Sequence, residues 1–129
     1  MPLNVNILVV DDEEVVLQGI KKLLKSDEDF VYHLDMVRSA VDGLQHVRQN
    51  RYNVIISDLM MPGIDGLQFL QRVKAVDPNA RVIMITGYAT LETAMEAQEK
   101  GAFGYIAKPY TNDEFRAIIR RALTFKDED

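Results

Sequence analysis

The chain contains no cysteine and no tryptophan, only four prolines and seven glycines, and fewer bases than acids, 15 against 20, in 129 residues. Without cysteine there is no disulfide framework and no thiolate metal site, and a reducing, cytoplasmic setting is expected. No apolar run exceeds a handful of residues, so none is long enough to span a bilayer. The opening Met1-Pro2-Leu3-Asn4 lacks the basic and apolar regions of a secretory signal, and none is expected. A net charge of −5 makes nucleic acid and anionic membranes poor partners, because nothing offsets repulsion from their phosphates. No linker, repeat or low-complexity tract interrupts the chain. With 47% hydrophobic residues, it reads as one folded domain, 1–129, with a core over about 5–125.

What is present is an alternation of two hydrophobic periods. Short β-branched runs at 5–10, 30–37, 54–57, 81–85 and 103–106 read as strands. Helix-length segments at about 13–26, 39–50, 66–76, 90–100 and 112–125 separate them. In the last segment Phe115, Ile118, Ile119, Ala122 and Leu123 form one stripe, and Val16, Ile20, Leu23 and Leu24 do so in the first. Thr111 with Glu114 reads as a capping box, Thr90 as an N-cap, and Asp65 precedes the third helix. Pro78-Asn79 and Gly101 mark a turn and a helix stop, and 126–129 is a short acidic tail. Alternating strands and helices predict an α/β, doubly wound, five-stranded parallel sheet of flavodoxin-like order 2-1-3-4-5. Two features are off-pattern: polar residues within 30–37, and Gly43 inside the second helix.

Ligands in such sheets bind beyond the carboxyl ends of the strands, near the point where strand order reverses. The first strand ends in Asp11-Asp12, the third in Asp58, the fourth in Thr86 and the fifth in Lys108-Pro109. In the expected order the first and third strands are neighbours, so three carboxylates converge, with a lysine and a hydroxyl approaching alongside. Two carboxylates about 4 Å apart repel by roughly 4 kcal/mol at an effective dielectric near 20. Such a cluster either raises a pKa or recruits a cation, and an all-oxygen donor set without His or Cys favours Mg²⁺. Three aspartates, one lysine and one divalent ion sum to zero formal charge. A carboxylate beside a hard ion and a lysine suits phosphoryl transfer, and phosphorylating Asp58 adds negative charge that Thr86 or Lys108 must meet. A site of this kind can act as a switch.

The segments Ile7-Leu8-Val9-Val10-Asp11-Asp12-Glu13, Asp58-Leu59-Met60-Met61-Pro62-Gly63-Ile64-Asp65-Gly66, Ile85-Thr86-Gly87 and Lys108-Pro109 resemble those of response-regulator receiver domains of two-component signal transduction. The resemblance covers essentially the whole chain, and the motifs are specific jointly. It implies that Asp58 is the phospho-acceptor and that Asp12, Asp58 and the backbone carbonyl of Met60 ligate Mg²⁺, with Asp11 acting mainly through water. It implies that Thr86 and Tyr105 form a coupled switch pair, that Lys108 grips the phosphoryl group, and that Lys108-Pro109 is a cis peptide. Met60 and Tyr88, two residues beyond the acceptor and the switch threonine, would tune phosphoryl lifetime; both are bulky, which predicts slow loss. The implied partners are a histidine kinase or histidine phosphotransfer protein, an output domain or effector, and a second copy on phosphorylation. The output would be a change in the face formed by the fourth helix, fifth strand and fifth helix.

Blander readings exist for each residue. Asp11 and Asp12 could cap the first helix, whose dipole favours Glu13 and Glu14. Thr86 could cap a turn, and Tyr105 could be packing. His33 and His46 are too isolated to bind metal, and Met60, Met61, Met84 and Met95 read as core or interface filler. Gly63 and Gly66 read as loop geometry. An aspartyl-phosphate phosphatase of the dehalogenase type needs a second acid where this chain has Met60. A flavodoxin's phosphate would be repelled by Asp11-Asp12-Glu13-Glu14. The alternative is a phosphorylation-independent pseudo-receiver acting as a protein-binding module, against which stands the presence of Asp11, Asp12, Asp58, Thr86 and Lys108 together. The chain is thus expected to be no enzyme beyond catalysing its own phosphorylation and dephosphorylation.

Overall fold

In the structure, a computed structural model, residues 3–61 and 63–125 are described; the opening Met1-Pro2, Pro62 of the Asp58–Gly66 segment and the acidic tail at 126–129 lie outside the described residues. The strands are β1 (Leu3–Val10), β2 (Phe30–Val37), β3 (Val54–Asp58), β4 (Val82–Thr86) and β5 (Gly104–Ala107). The helices are α1 (Glu14–Lys25), α2 (Ala40–Gln49), α3 (Gly66–Val76), α4 (Leu91–Glu99) and α5 (Asn112–Thr124). All strand pairs are parallel and the sheet order is β2-β1-β3-β4-β5, as the alternation predicts.

Side chains on the strands alternate between two cores. Ile7, Val9, Val54, Ile56, Ile83 and Ile85 pack under α1 and α5. Leu8, Val10, Ile55, Val82 and Met84 pack under α2, α3 and Ala97 of α4. Both faces are therefore dry, which is why β1 is apolar over Ile7–Val10, β3 over Val54–Ile56 and β4 over Val82–Ile85. The polar β2 has a simple cause: it is an edge strand, paired with β1 alone. There Asp35 accepts a 2.6 Å bond from the Tyr52 hydroxyl and His33 lies 3.3 Å from Asn4. Charge on such an edge discourages pairing with another chain.

Gly43 also has a packing reason. A Cβ there would sit 3.0 Å from the Phe69 ring and 3.1 Å from Val10 Cγ2, so glycine lets α2 close against α3 and β1. Capping boxes begin α3 (Asp65 with Gln68), α4 (Thr90 with Thr93) and α5 (Thr111 with Glu114), and Ser39 caps α2. These four helices start at side-chain caps, whereas Glu13 before α1 makes no such bond. No helix among the described residues is long and apolar enough to cross a membrane.

Candidate functional site

The site is built by strand ends. The register Val10↔Ser57 between β1 and β3 brings Asp11, just past β1, alongside Asp58, the last residue of β3. On the other side Asp58 pairs with Ile85, and Thr86 with Ala107, the last residue of β5. The Lys108 amide donates to the Thr86 carbonyl at 2.8 Å, continuing the ladder into the loop. The Lys108–Pro109 peptide is cis, as the resemblance implies.

Asp11 and Asp58 are 3% and 6% exposed, and Thr86 is fully buried. One carboxylate oxygen each from Asp11, Asp12, Glu13 and Asp58 lies within 4.8 Å of the others. The Lys108 ammonium reaches into this group, 3.2 Å from Asp58 Oδ2 and 3.6 Å from Asp11 Oδ2. Asp58 Oδ1 accepts the Met60 amide at 3.0 Å, and Asp11 Oδ1 accepts the Glu13 amide at 2.9 Å. The two buried carboxylates are therefore held in place by backbone before any ligand arrives.

Electrostatics follow from this crowding. Burial pushes the Asp11 carboxyl up; the Glu13 amide and Lys108 hold it down in part, and the charges of Asp58 and Asp12 push it up again. The result is a raised pKa. Burial pulls the Lys108 ammonium down, but its bond to Asp58 and the charges of Asp58, Asp11 and Glu13 together outweigh this and leave it raised. Four carboxylates against one ammonium leave the cluster short of positive charge, and its donors are all hard oxygens. That donor set fits a hard divalent cation and does not suit a soft one.

Three residues enter that the sequence reading did not place here. Glu13, read as a helix-dipole acid, contributes an oxygen to the cluster. Arg38, immediately after β2, donates from Nε and Nη2 to the Asp12 carbonyl at 3.2 and 2.8 Å. Since Asp11 N also donates to the Val37 carbonyl at 3.1 Å, the loop bearing both aspartates is fastened to the end of β2. Thr93, on the first turn of α4, places its Oγ1 2.6 Å from the Tyr105 hydroxyl.

The remaining expected residues are not joined to the carboxylate cluster by any hydrogen bond of their side chains among the described residues. Thr86 Oγ1 accepts the Tyr88 amide at 3.0 Å, and among the described residues no hydrogen bond joins Thr86 to Tyr105. The Met60 and Tyr88 side chains are 54% and 70% exposed. Of the methionines read as filler, Met61 and Met84 are buried, whereas Met60 and Met95 are exposed, because β3 has ended before Met60 and Met95 sits on the outer side of α4. Gly66 does serve the loop: a Cβ there would lie 2.5 Å from Leu59 Cα and 2.6 Å from the Asp58 carbonyl, so only glycine lets α3 begin against the end of β3.

A family model described as the response regulator receiver domain matches residues 7–120. Sporulation initiation phosphotransferase F of Bacillus subtilis is 36% identical over 127 residues, covering 96% of this chain and 98% of that protein. Transcriptional regulatory protein ZraR of Escherichia coli is 32% identical over 93% of this chain, which spans only 26% of ZraR. Among solved structures, a response regulator receiver domain protein from Clostridium thermocellum superposes with a TM-score of 0.84 at 35% identity, covering 92% of this chain and 94% of that one. The beryllofluoride-activated NtrC4 receiver domain dimer gives 0.84 at 31% identity, over 92% and 95%.

Proposed function

The chain belongs to the response regulator receiver domain family, and from that premise we propose that Asp58 accepts a phosphoryl group from the phosphohistidine of a histidine kinase or phosphotransfer protein. The observation that carries this is the Lys108 ammonium held 3.2 Å from Asp58 and 3.6 Å from Asp11, the two buried members of a four-carboxylate cluster. An Asp58 oxygen attacks phosphorus; the new P–O bond forms as the P–N bond breaks, and its electron pair returns to the imidazole nitrogen. Lys108 faces the phosphoryl oxygens and balances their charge. Asp11, Asp12, Asp58 and the Met60 carbonyl would hold Mg²⁺, with Asp11 acting mainly through water; when bound, the ion supplies positive charge to the phosphoryl oxygens. Water attack on the same phosphorus later breaks the bond to Asp58 and releases orthophosphate, the only turnover the site is built for.

Phosphorylation places a group of charge near −2 where a carboxylate of −1 stood. Thr86 turns toward the new oxygens, Tyr105 turns inward, and the α4–β5–α5 face changes. The phosphorylation-independent alternative leaves the lysine–carboxylate geometry without a use. Met60 and Tyr88 offer neither a carboxylate nor an amide to orient the attacking water, so the phosphoryl group is long-lived. Replacing Met60 by Asn should shorten its lifetime severalfold in a phosphate-release assay; an unchanged lifetime would refute the tuning role. An output domain or separate effector, and a second copy of the chain by likeness to the NtrC4 receiver dimer, complete the proposed partners in a cytoplasmic setting.

Intact mass after acetyl phosphate tests the main reading. One phosphoryl adduct is expected with Mg²⁺, almost none without it, and none in Asp58→Ala. An adduct that survives Asp58→Ala would overturn the assignment.

A further inference from the structure

Helix α4 is held to the body of the molecule lightly. Ala97 is its one fully buried residue, and its large apolar side chains, Leu91 and Met95, are exposed. Its first turn is seated instead by hydroxyl groups. Thr90 and Thr93 exchange backbone bonds at 3.1 Å, and Thr93 Oγ1 also reaches the Thr90 carbonyl at 3.1 Å. A hydroxyl has one proton and two lone pairs. Thr93 Oγ1 also lies 3.0 Å from Thr90 Oγ1 and 2.6 Å from the Tyr105 hydroxyl, and in each pair either oxygen can donate. Tyr105 is half-buried on β5 and its hydroxyl is thereby tied to the cap of α4. Only residues 87–89 separate that cap from Thr86, whose hydroxyl holds the Tyr88 amide.

We propose that Thr93 is a positioning residue whose hydroxyl latches Tyr105 against α4 in the unphosphorylated chain and so sets how tightly the Asp58 site takes a phosphoryl group. The proposal rests on the receiver reading above. On the receiver reading Tyr105 turns inward after phosphorylation, and the proposal is that it then gives up its 2.6 Å bond to Thr93. A bond made only in the unphosphorylated state disfavours the other by its net free energy. Removing it therefore tightens binding of a phosphoryl mimic, whereas general damage to the fold weakens it. The opposite signs separate a latch from a merely structural contact.

The test is titration of the full chain with beryllofluoride in saturating Mg²⁺, followed by NMR. Thr93→Val and Tyr105→Phe should each tighten apparent affinity by about fivefold, the effect of one ordinary hydrogen bond. The double variant should gain little beyond either single one, because both remove the same bond. Thr93→Ser keeps the hydroxyl and should keep wild-type affinity. Tyr105→Phe leaves the α4 capping box intact and decides the matter if Thr93→Val does not fold. Unchanged or weaker affinity in Tyr105→Phe overturns the latch while wild-type binding still depends on Asp58. Wild-type binding that is absent, or that persists in Asp58→Ala, overturns the acceptor reading and the latch with it.

Discussion

At Asp11, burial and charge act on one carboxyl group from several sides. Desolvation raises its pKa, and the Glu13 amide and Lys108 recover only part of that cost. Such a residue is stabilised by added positive charge, which is the physical basis for placing a cation here. Arg38 contributes indirectly: its two bonds to the Asp12 carbonyl hold the loop that presents both aspartates. Groups that orient ligands in this way typically change metal affinity by an order of magnitude or more when removed. Arg38→Ala should weaken Mg²⁺ binding about tenfold by calorimetry while leaving the thermal midpoint nearly unchanged. Equal affinity in the variant would show that the loop holds itself. Asp11, Asp12, Asp58, Thr86 and Lys108 were legible because each lies within two residues of the end of an apolar run, and strand ends are fixed once the order is. Arg38, Glu13 and Thr93 were not, because their contacts join residues whose meeting depends on loop paths and on how a helix is seated.

Among the elements, β2 and α3 show how placement overrides local pattern. The polar residues of β2 looked wrong for a buried strand, yet they suit an edge with a single neighbour and a hydrogen-bonded Asp35. Gly66 looked like loop chemistry, and the loop does require it, through an approach of α3 to the Asp58 and Leu59 backbone that no Cβ could share. Backbone cannot give way as a flexible side chain can. Gly66→Ala should cost more than about 3 kcal/mol in urea unfolding and displace the loop that follows Asp58. A variant as stable as wild type would mean that α3 can begin elsewhere. The boundaries of the helices were legible through their caps, since Asp65, Thr90 and Thr111 all open helices as side-chain acceptors. The reciprocal partners Gln68 and Thr93 were less visible, being ordinary polar residues until the first turn forms.

At the scale of the whole molecule, the two-faced sheet was legible from the alternation of periods alone, and its order followed from the short list of allowed crossovers. Which copy or partner meets which face is a separate matter. If the likeness to the NtrC4 receiver dimer extends to this chain, light scattering should show the mass doubling on addition of beryllofluoride and Mg²⁺ to wild type and not to Asp58→Ala. A mass that stays at 14.7 kDa would assign the switched face to a different protein.

The chain leaves β1 toward the face covered by α1 and leaves β3 toward the face covered by α3, so the two loops part between these neighbouring strands. The crevice they open is a by-product of winding direction and needs no insertion to shape it. Reactive groups sit at the tips of rigid strands, while exposed residues such as Val15, Leu91 and Met95 lie on the helices that flank them. Chemistry and address are thereby written on different parts of the scaffold. On the proposed function, contacts with a donor or recipient fall to outer helix surfaces such as that of Val15 on α1, and the reaction to the strand tips.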